Sequence, residues 1–77
     1  MALITSFEHK SMDRHSIHDG IAATYCAFER DGRRFIQIDS HGSSKREMPG
    51  KVSQTFQLDE KAARGLFDIL KETFNFR

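Results

Sequence analysis

The dipeptide Asp31-Gly32 constrains the fold more than any other feature, because alternating runs of side chains stand on both sides of it. A two-residue type I′ turn requires positive φ at both central residues, a geometry that glycine adopts freely and aspartate tolerates. The pattern therefore predicts a β-hairpin in which Arg30 pairs with Arg33 and Phe28 pairs with Phe35.

This register divides the hairpin into two faces, since successive side chains of a strand point to opposite sides. The first face resembles a core and carries Tyr25, Ala27, Ile36 and Ile38. The second face is mixed and carries Phe28, Phe35, Arg30 and Arg33. A slip of one residue would exchange the two faces. We therefore expect Ile36 and Ile38, but not Phe35, to face the helix described next.

A C-terminal helix is predicted to begin at Asp59, whose carboxylate can accept hydrogen bonds from the free amides of the first turn. Apolar residues then recur at helical spacing and form a stripe. The stripe contains Ala62, Ala63, Leu66, Phe67, Leu70 and Phe74. We expect the last four of these residues to pack in the core against Tyr25, Ala27, Ile36, Ile38, Phe56 and Leu58.

Two more segments alternate with a period of two and are predicted strands, Ala2–His9 and Val52–Leu58. Polar loops are predicted between the strands, and Pro49-Gly50 suits the centre of a type II turn. The expected fold is α+β: one domain over residues 1–77, with a small antiparallel sheet of three to four strands and one C-terminal helix packed on one face. The other face must be solvated, or covered by a ligand or a second protomer.

Length and composition bear on the oligomeric state and the cellular compartment of this protein. A chain of 77 residues buries a thin core, which favours a homodimer. Cys26 is the single cysteine, so an intramolecular disulfide is impossible and a reducing compartment is indicated. No apolar run approaches the length of a spanning helix, and the first residues lack the layout of a signal peptide. We expect a cytoplasmic protein that does not associate with membranes.

Residue types used in catalysis and metal binding are present, but they are not arranged for either. The histidines His9, His15 and His18 lie in one polar loop without a CxxC or second paired motif, so an exposed loop is favoured over a metal site, which stays open. Cys26 stands mid-strand without the surroundings of a nucleophile. The sequence predicts a protein that is not an enzyme and has no cofactor, and it assigns no metal ligands.

The mixed face of the hairpin has the residue types of a single-strand binder, in which aromatic rings stack on bases and basic side chains follow the phosphates. The candidate residues are Phe28, Arg30, Arg33, Phe35, Lys45, Arg46 and Lys51. An aromatic pair on a sheet also fits a contact with a second protein chain. Two functions therefore remain: a single-stranded nucleic-acid-binding module with a role related to transcription, and a small protein-interaction or regulatory domain acting through a homodimer or partner interface.

One segment, Arg34–Leu70, resembles the single-stranded-DNA-binding domain of the transcriptional positive-coactivator family and its small bacterial relatives. The similar pattern is an extended strand, a basic loop, Gly50-Lys51, a strand that ends at Leu58 before two acidic residues, and an amphipathic helix. The resemblance implies a curved antiparallel sheet and a helix that mediates dimerisation. It also implies phosphate contacts for Lys45, Arg46 and Lys51, and a base platform formed by Phe28 and Phe35.

Overall fold

The computed structural model describes residues 1–42 and 52–77 and confirms the α+β class. The elements are β1 (Ala2–Ile4), β2 (Ala23–Arg30), β3 (Arg33–His41), β4 (Val52–Leu58) and α1 (Glu60–Phe74). The four strands form one sheet in the order β1-β4-β3-β2. Strand β3 is antiparallel to both of its neighbours, β2 and β4, whereas β1 runs parallel to β4, so the sheet is mixed rather than wholly antiparallel as predicted.

Strand β1 is shorter than the predicted Ala2–His9, and its partner explains why. Ile4 pairs with Leu58, the last residue of β4, so the parallel ladder has no partner strand beyond that point. Alternation of side chains predicts that a segment is extended, but it does not specify the direction in which a strand pairs. Residues 5–22 are exposed and lead to β2 without further strands.

The hairpin is confirmed residue by residue. Asp31 and Gly32 have φ values of 54° and 75°, the left-handed conformations that a type I′ turn requires. Phe28 pairs with Phe35 and Arg30 with Arg33, as expected. Strand β4 also has the predicted bounds. The predicted turn at Pro49-Gly50 lies outside the described residues, which leave out 43–51.

Helix α1 begins as predicted, because Asp59 Oδ1 accepts a hydrogen bond of 2.8 Å from the backbone N–H of Ala62. The helix ends at Asn75, whose φ of 57° is the left-handed conformation of many helix ends and whose N–H donates to the Lys71 carbonyl. Asp59 is the single residue between β4 and the helix. This direct connection holds the first turns against the Leu58 end of the sheet.

The predicted core is larger than the one observed. Among the described residues only Leu58 and Ala62 are buried, at 4% and 1% exposure. The helix contacts β3 and β4 through its first half, and its second half is exposed. The remaining expected core residues are half-buried or exposed, among them Tyr25 at 77%, Phe67 at 55% and Phe74 at 61%. The apolar stripe was identified correctly, but one chain does not supply the surface that would cover it.

Candidate nucleic-acid interface

The register of the sheet assigns each strand residue to one of two faces. The face called here the apolar face carries Tyr25, Ala27, Ile36, Ile38, Phe56 and Leu58. Ile36 and Leu58 of this face border a depression together with Ala63 of the helix, and Phe35 borders it too. Leu58 and Ala62 are both buried, so the start of the helix lies on the Leu58 side of the sheet. The opposite face, called here the aromatic face, carries Leu3, Cys26, Phe28, Arg30, Arg33, Phe35, Gln37, Asp39, Thr55 and Gln57.

Phe28 and Phe35 form a stacked pair on the aromatic face. Their ring centroids are 5.3 Å apart and the ring planes differ by 20°. Direct antiparallel partners bring side chains this close, so the geometry follows from the hairpin register. The guanidinium carbon Cζ of Arg33 lies 5.0 Å from the centroid of Phe35, within the range of a cation–π contact. The pair is half-buried, so part of each ring remains accessible.

An open concavity of about 530 Å³ adjoins the stacked pair. It is lined by Leu3, Phe28, Glu29, Arg30, Phe35, Gln37 and Gln57. Two aromatic residues, an arginine, a glutamate and two glutamines therefore border the same space. Arg33 lies at the margin and also forms an ion pair with Asp59, at 3.9 Å between Nη2 and Oδ2. Its side chain is 63% exposed, so it stays accessible to a ligand.

Four of the seven predicted site residues thus come together. Phe28, Phe35 and Arg30 line the concavity, and Arg33 stacks against Phe35 beside it. The other three, Lys45, Arg46 and Lys51, lie outside the described residues. Arg34 pairs with Glu29, and Arg33 pairs with Arg30. Successive pairs along a hairpin lie on opposite faces, so Arg34 lies on the apolar face.

The sequence interpretation missed a chain of hydrogen bonds that crosses the aromatic face, called here the polar relay: Thr55, Asp39, Gln37 and Gln57. Thr55 Oγ1 donates to Asp39 Oδ1 at 2.7 Å, and Gln37 Nε2 donates to the two Asp39 oxygens at 3.3 and 3.2 Å. Gln57 Nε2 in turn donates to Gln37 Oε1 at 3.0 Å. Gln37 pairs directly with Gln57 and Asp39 with Thr55, so knowing the register of β3 and β4 would have revealed it.

The relay stabilises the charged form of its carboxylate. Hydrogen bonds from Thr55 and then Gln37 lower the pKa of Asp39 below the ordinary aspartate value, against a smaller opposing effect of burial. Asp39 is therefore an ionised acceptor at neutral pH.

The histidine loop shows a local contact rather than a ligand set. His15 Nε2 lies 2.9 Å from the Met12 carbonyl oxygen. Within residues 1–42 and 52–77, no three histidine, cysteine or acidic side chains gather closely enough to hold a metal ion. No helix in the described part of the chain has both the length and the apolar character needed to cross a membrane.

Comparisons with known proteins add no assignment to this geometry. No protein-family model matches the chain, and neither the curated proteins nor the solved structures contain a match. The resemblance of Arg34–Leu70 to the positive-coactivator family stays a prediction, and the functional argument depends on the residues of the sheet.

Proposed function

We propose that this protein is a non-enzymatic module that binds single-stranded nucleic acid on its aromatic face. The observation that carries the proposal is the stacked pair of Phe28 and Phe35 at the edge of an open concavity, with Arg33 against the ring of Phe35. Stacking on aromatic rings is the main contact of sequence-tolerant single-strand binders, since every base has a π-face.

Single strands fit this surface better than duplexes do. In a duplex the faces of the bases are stacked on one another, and proteins contact groove edges and phosphates instead. A sheet face with half-buried rings does not enter a groove as a helix or a two-stranded ribbon does. Unpaired bases can leave their stack and lie against Phe28 and Phe35, with the phosphates near Arg30 and Arg33.

The basic residues supply the part of the affinity that depends on salt. Arg30 and Arg33 lie beside the rings, and Lys45, Arg46 and Lys51 are proposed to extend the contact to further phosphates. The net charge of +1 is small. A local cluster of basic side chains therefore has to provide the attraction, which makes it sensitive to removal of single residues.

We further propose that the protein is a homodimer joined through its apolar face, and the exposed area supports this. The chain exposes 7277 Å², whereas a compact monomer of 8.9 kDa exposes about 4,800 Å². Its radius of gyration is 14.7 Å, against about 11.5 Å for a compact chain of this length. The exposed segment 5–22 contributes to this excess, and the exposed apolar side chains of the sheet and helix contribute the part that a second copy could cover, for which a standard interface needs roughly 800 Å² per partner.

A second copy also fits the shape of the exposed surface. The apolar face has a depression of about 340 Å³ lined by Ala23, Thr24, Tyr25, Ile36 and Ile38. The second half of the helix projects Phe67, Leu70 and Phe74 into solvent. In a two-fold dimer each helix end can enter the depression of the partner. This arrangement leaves both aromatic faces free, so dimerisation and nucleic-acid binding use opposite sides of the sheet.

Fluorescence anisotropy with a labelled, mixed-sequence single strand tests the binding proposal over a series of salt concentrations. The logarithm of the affinity should fall linearly with the logarithm of salt concentration, because bound basic residues release counterions. Lys45→Ala combined with Arg46→Ala should reduce the slope by about 1.4 units, since each lost contact with a single strand accounts for roughly 0.7.

Arg33→Ala and Arg34→Ala form a matched pair, because these neighbouring arginines lie on opposite faces. Arg33→Ala should weaken binding and reduce the slope, whereas Arg34→Ala should change neither. Absence of binding at low salt with micromolar protein would overturn the proposal. A salt-independent complex with a protein partner at the aromatic face would favour the alternative of an interaction domain.

A further inference from the structure

We infer that the outer edge of strand β2 pairs antiparallel with the same edge of a second copy, so that two four-stranded sheets become one sheet of eight strands. The inference rests on the proposed homodimer and states where its two-fold axis lies. Strand β2 is at one end of the sheet, and no strand in the described part of the chain pairs with its outer side. Its outward backbone groups are therefore available to a further strand.

The hydrogen-bond pattern of the hairpin identifies the backbone groups that point outward. Residues of antiparallel strands alternate between hydrogen-bonded pairs and pairs whose groups point away from each other. The carbonyl of Ala22 accepts from the N–H of His41 at 3.0 Å, so the even-numbered residues of β2 bond to β3. The odd-numbered residues direct four N–H and four C=O groups outward: Ala23, Tyr25, Ala27 and Glu29.

This edge lacks the features by which proteins protect edge strands, such as short length, proline, lysine or a bulge. Strand β2 has eight residues, contains neither proline nor lysine, and pairs with β3 without a shift in register. Seven of its eight residues are exposed. The opposite edge of the sheet differs, because β1 has only three residues. The sheet therefore has one edge that is open to a long partner strand, and that edge is β2.

A second copy of β2 complements this edge in one register. Ala23 then pairs with the partner's Glu29, and Tyr25 pairs with the partner's Ala27. Two-fold symmetry repeats both pairs, so all outward groups are used in eight hydrogen bonds. Tyr25, which is 77% exposed, lies opposite a small side chain, and Glu29 meets no other charge. A shift by two residues in either direction reduces the number of hydrogen bonds to six.

The pairing is compatible with the dimer proposed through the apolar face. A two-fold axis perpendicular to the sheet beside Cys26 keeps the apolar faces of both copies on one side. The depression of the apolar face includes Ala23, Thr24 and Tyr25 of the edge strand, so it borders the contact between the copies. Both stacked phenylalanine pairs then lie on the other side of one continuous sheet, where a single strand can extend from one pair to the other.

Cys26 provides the test, because this register places it opposite the partner's Cys26. Residues opposite each other in a pair without hydrogen bonds have Cα atoms about 4.5 Å apart, within the range that a disulfide spans. Cys26 is a free and exposed thiol. Diamide should therefore oxidise the two thiols to a disulfide, taking up their two electrons and two protons. Non-reducing electrophoresis should then show a covalent dimer.

Thr24→Cys in a Cys26→Ser background is the matched control. Thr24 is exposed on the same face of the same strand, but in this register it lies opposite the partner's Phe28. The Cα atoms of its two copies are then about 14 Å apart, from the rise and spacing of strands, which is too far for a disulfide. The covalent dimer should form at least about tenfold faster with Cys26 than with the control cysteine.

Ala27→Pro tests the backbone pairing without a cysteine. The N–H of Ala27 points outward, so proline keeps the bonds to β3 and removes one donor to the partner from each copy. The dimer dissociation constant in sedimentation equilibrium should rise at least about fivefold, as expected for two neutral hydrogen bonds. Ser11→Pro, in the exposed segment before β2, is the control and should leave the constant unchanged. Melting curves establish that both variants are folded.

The outcomes separate this inference from the proposed function. A dimer in sedimentation whose Cys26 forms the disulfide no faster than the control cysteine would overturn the edge pairing and leave the apolar-face dimer standing. Unchanged dimer affinity in Ala27→Pro would also overturn the edge pairing. A wild-type protein that stays monomeric at every concentration would overturn the dimer and the inference together. Anisotropy with a labelled single strand tests nucleic-acid binding independently of all three results.

Discussion

The two faces of the sheet differ in how far one chain completes them. On the aromatic face, the carboxylate of Asp39 has three hydrogen bonds, both glutamines are engaged, and Phe28 is stacked on Phe35. On the apolar face, Tyr25 is 77% exposed and Phe56 40% exposed, and the helix covers little beyond Leu58. Exposed apolar area of this kind marks an interface, whereas a fixed polar network beside an open concavity suits a ligand.

The difference teaches that sheet faces with similar alternation can have different partners. Burying the apolar face against a second copy would stabilise the protein through the hydrophobic effect, which is non-directional. The aromatic face combines stacked rings with many directional groups, so it gains more from a ligand with matching rings and donors. The predictions that follow test this division, from the largest expected effect to the smallest.

Leu58→Ala should have the largest effect, because Leu58 is 4% exposed and connects the sheet to the helix. Removing a buried leucine costs about 2–5 kcal/mol in free energy of unfolding, an appreciable part of the stability of a small domain. Denaturant titration measures the loss. Val52→Ala, at the opposite end of the same strand and 45% exposed, is the control and should cost about 0.5 kcal/mol or less. Equal losses in both variants would mean that Leu58 is not the centre of the core.

Leu70→Ala tests the apolar face as a protein interface. Leu70 is 38% exposed in one chain, so its removal should act mainly on self-association. An interface anchor contributes about 2 kcal/mol or more, and the dimer dissociation constant should rise at least about 30-fold. Sedimentation equilibrium measures it, with Lys71→Ala as the control on the adjacent polar side. A dimer of unchanged affinity would remove Leu70 from the interface.

Phe35→Ala tests the aromatic face as a ligand surface. Loss of one stacking platform should weaken binding of a single strand by about 1–3 kcal/mol, with little change in salt dependence because stacking is not ionic. Phe7→Ala, in the exposed segment before β2, is the control and should bind as wild type. The dimer should persist in both variants. Loss of the dimer in Phe35→Ala, with binding intact, would reverse the proposed roles of the two faces.

Local chemistry explains which parts of this fold and site were predictable. The turn at Asp31-Gly32 fixes the register of β2 and β3, and that register places Phe28, Phe35, Arg30 and Arg33 on one face. The helix start at Asp59 is also local. Neither prediction needs information about distant residues, since turn type and side-chain alternation determine both.

Other features depend on contacts between distant segments. Strand β1 pairs with β4 in parallel. The alternation of apolar and polar side chains predicts an extended segment, but it does not specify which strand that segment pairs with or in which direction. The polar relay requires the register of β3 with β4, and these strands are joined by residues 42–51 rather than by a two-residue turn. Exposure of Phe67 and Phe74 was missed because helical periodicity identifies an apolar stripe without specifying which chain covers it.

Asp59→Ala tests the junction between the two faces. Asp59 caps the helix and pairs with Arg33, so it joins the apolar side to an arginine of the aromatic side. Loss of the cap should reduce the free energy of unfolding by about 1 kcal/mol. Asp68→Ala removes an exposed ion pair with Arg64 on the same helix and should cost about 0.3–0.5 kcal/mol. Similar losses in thermal or urea unfolding of the two variants would contradict the capping role.

The smallest expected effect is a pH dependence that only the polar relay should produce. The pKa of Asp39 is lowered in the folded protein, because Thr55 and Gln37 donate to its carboxylate. A lowered folded-state pKa stabilises the protein above the unfolded-state value of about 3.9, and this stabilisation disappears as the pH falls through the folded-state value. The difference in free energy of unfolding between wild type and Asp39→Asn should therefore be constant near neutral pH and shrink below about pH 4.

Urea unfolding over a series of pH values measures this difference. Thr55→Val removes the strongest donor, which should raise the pKa of Asp39 and shift the loss of stability to higher pH. Tyr25→Ala, on the apolar face, should keep the wild-type pH dependence even though it reduces dimer stability. If the profiles of wild type and Asp39→Asn ran parallel down to pH 2, Asp39 would not be the ionised start of the relay. The aromatic face would then lack the fixed polarity that distinguishes it from the apolar face.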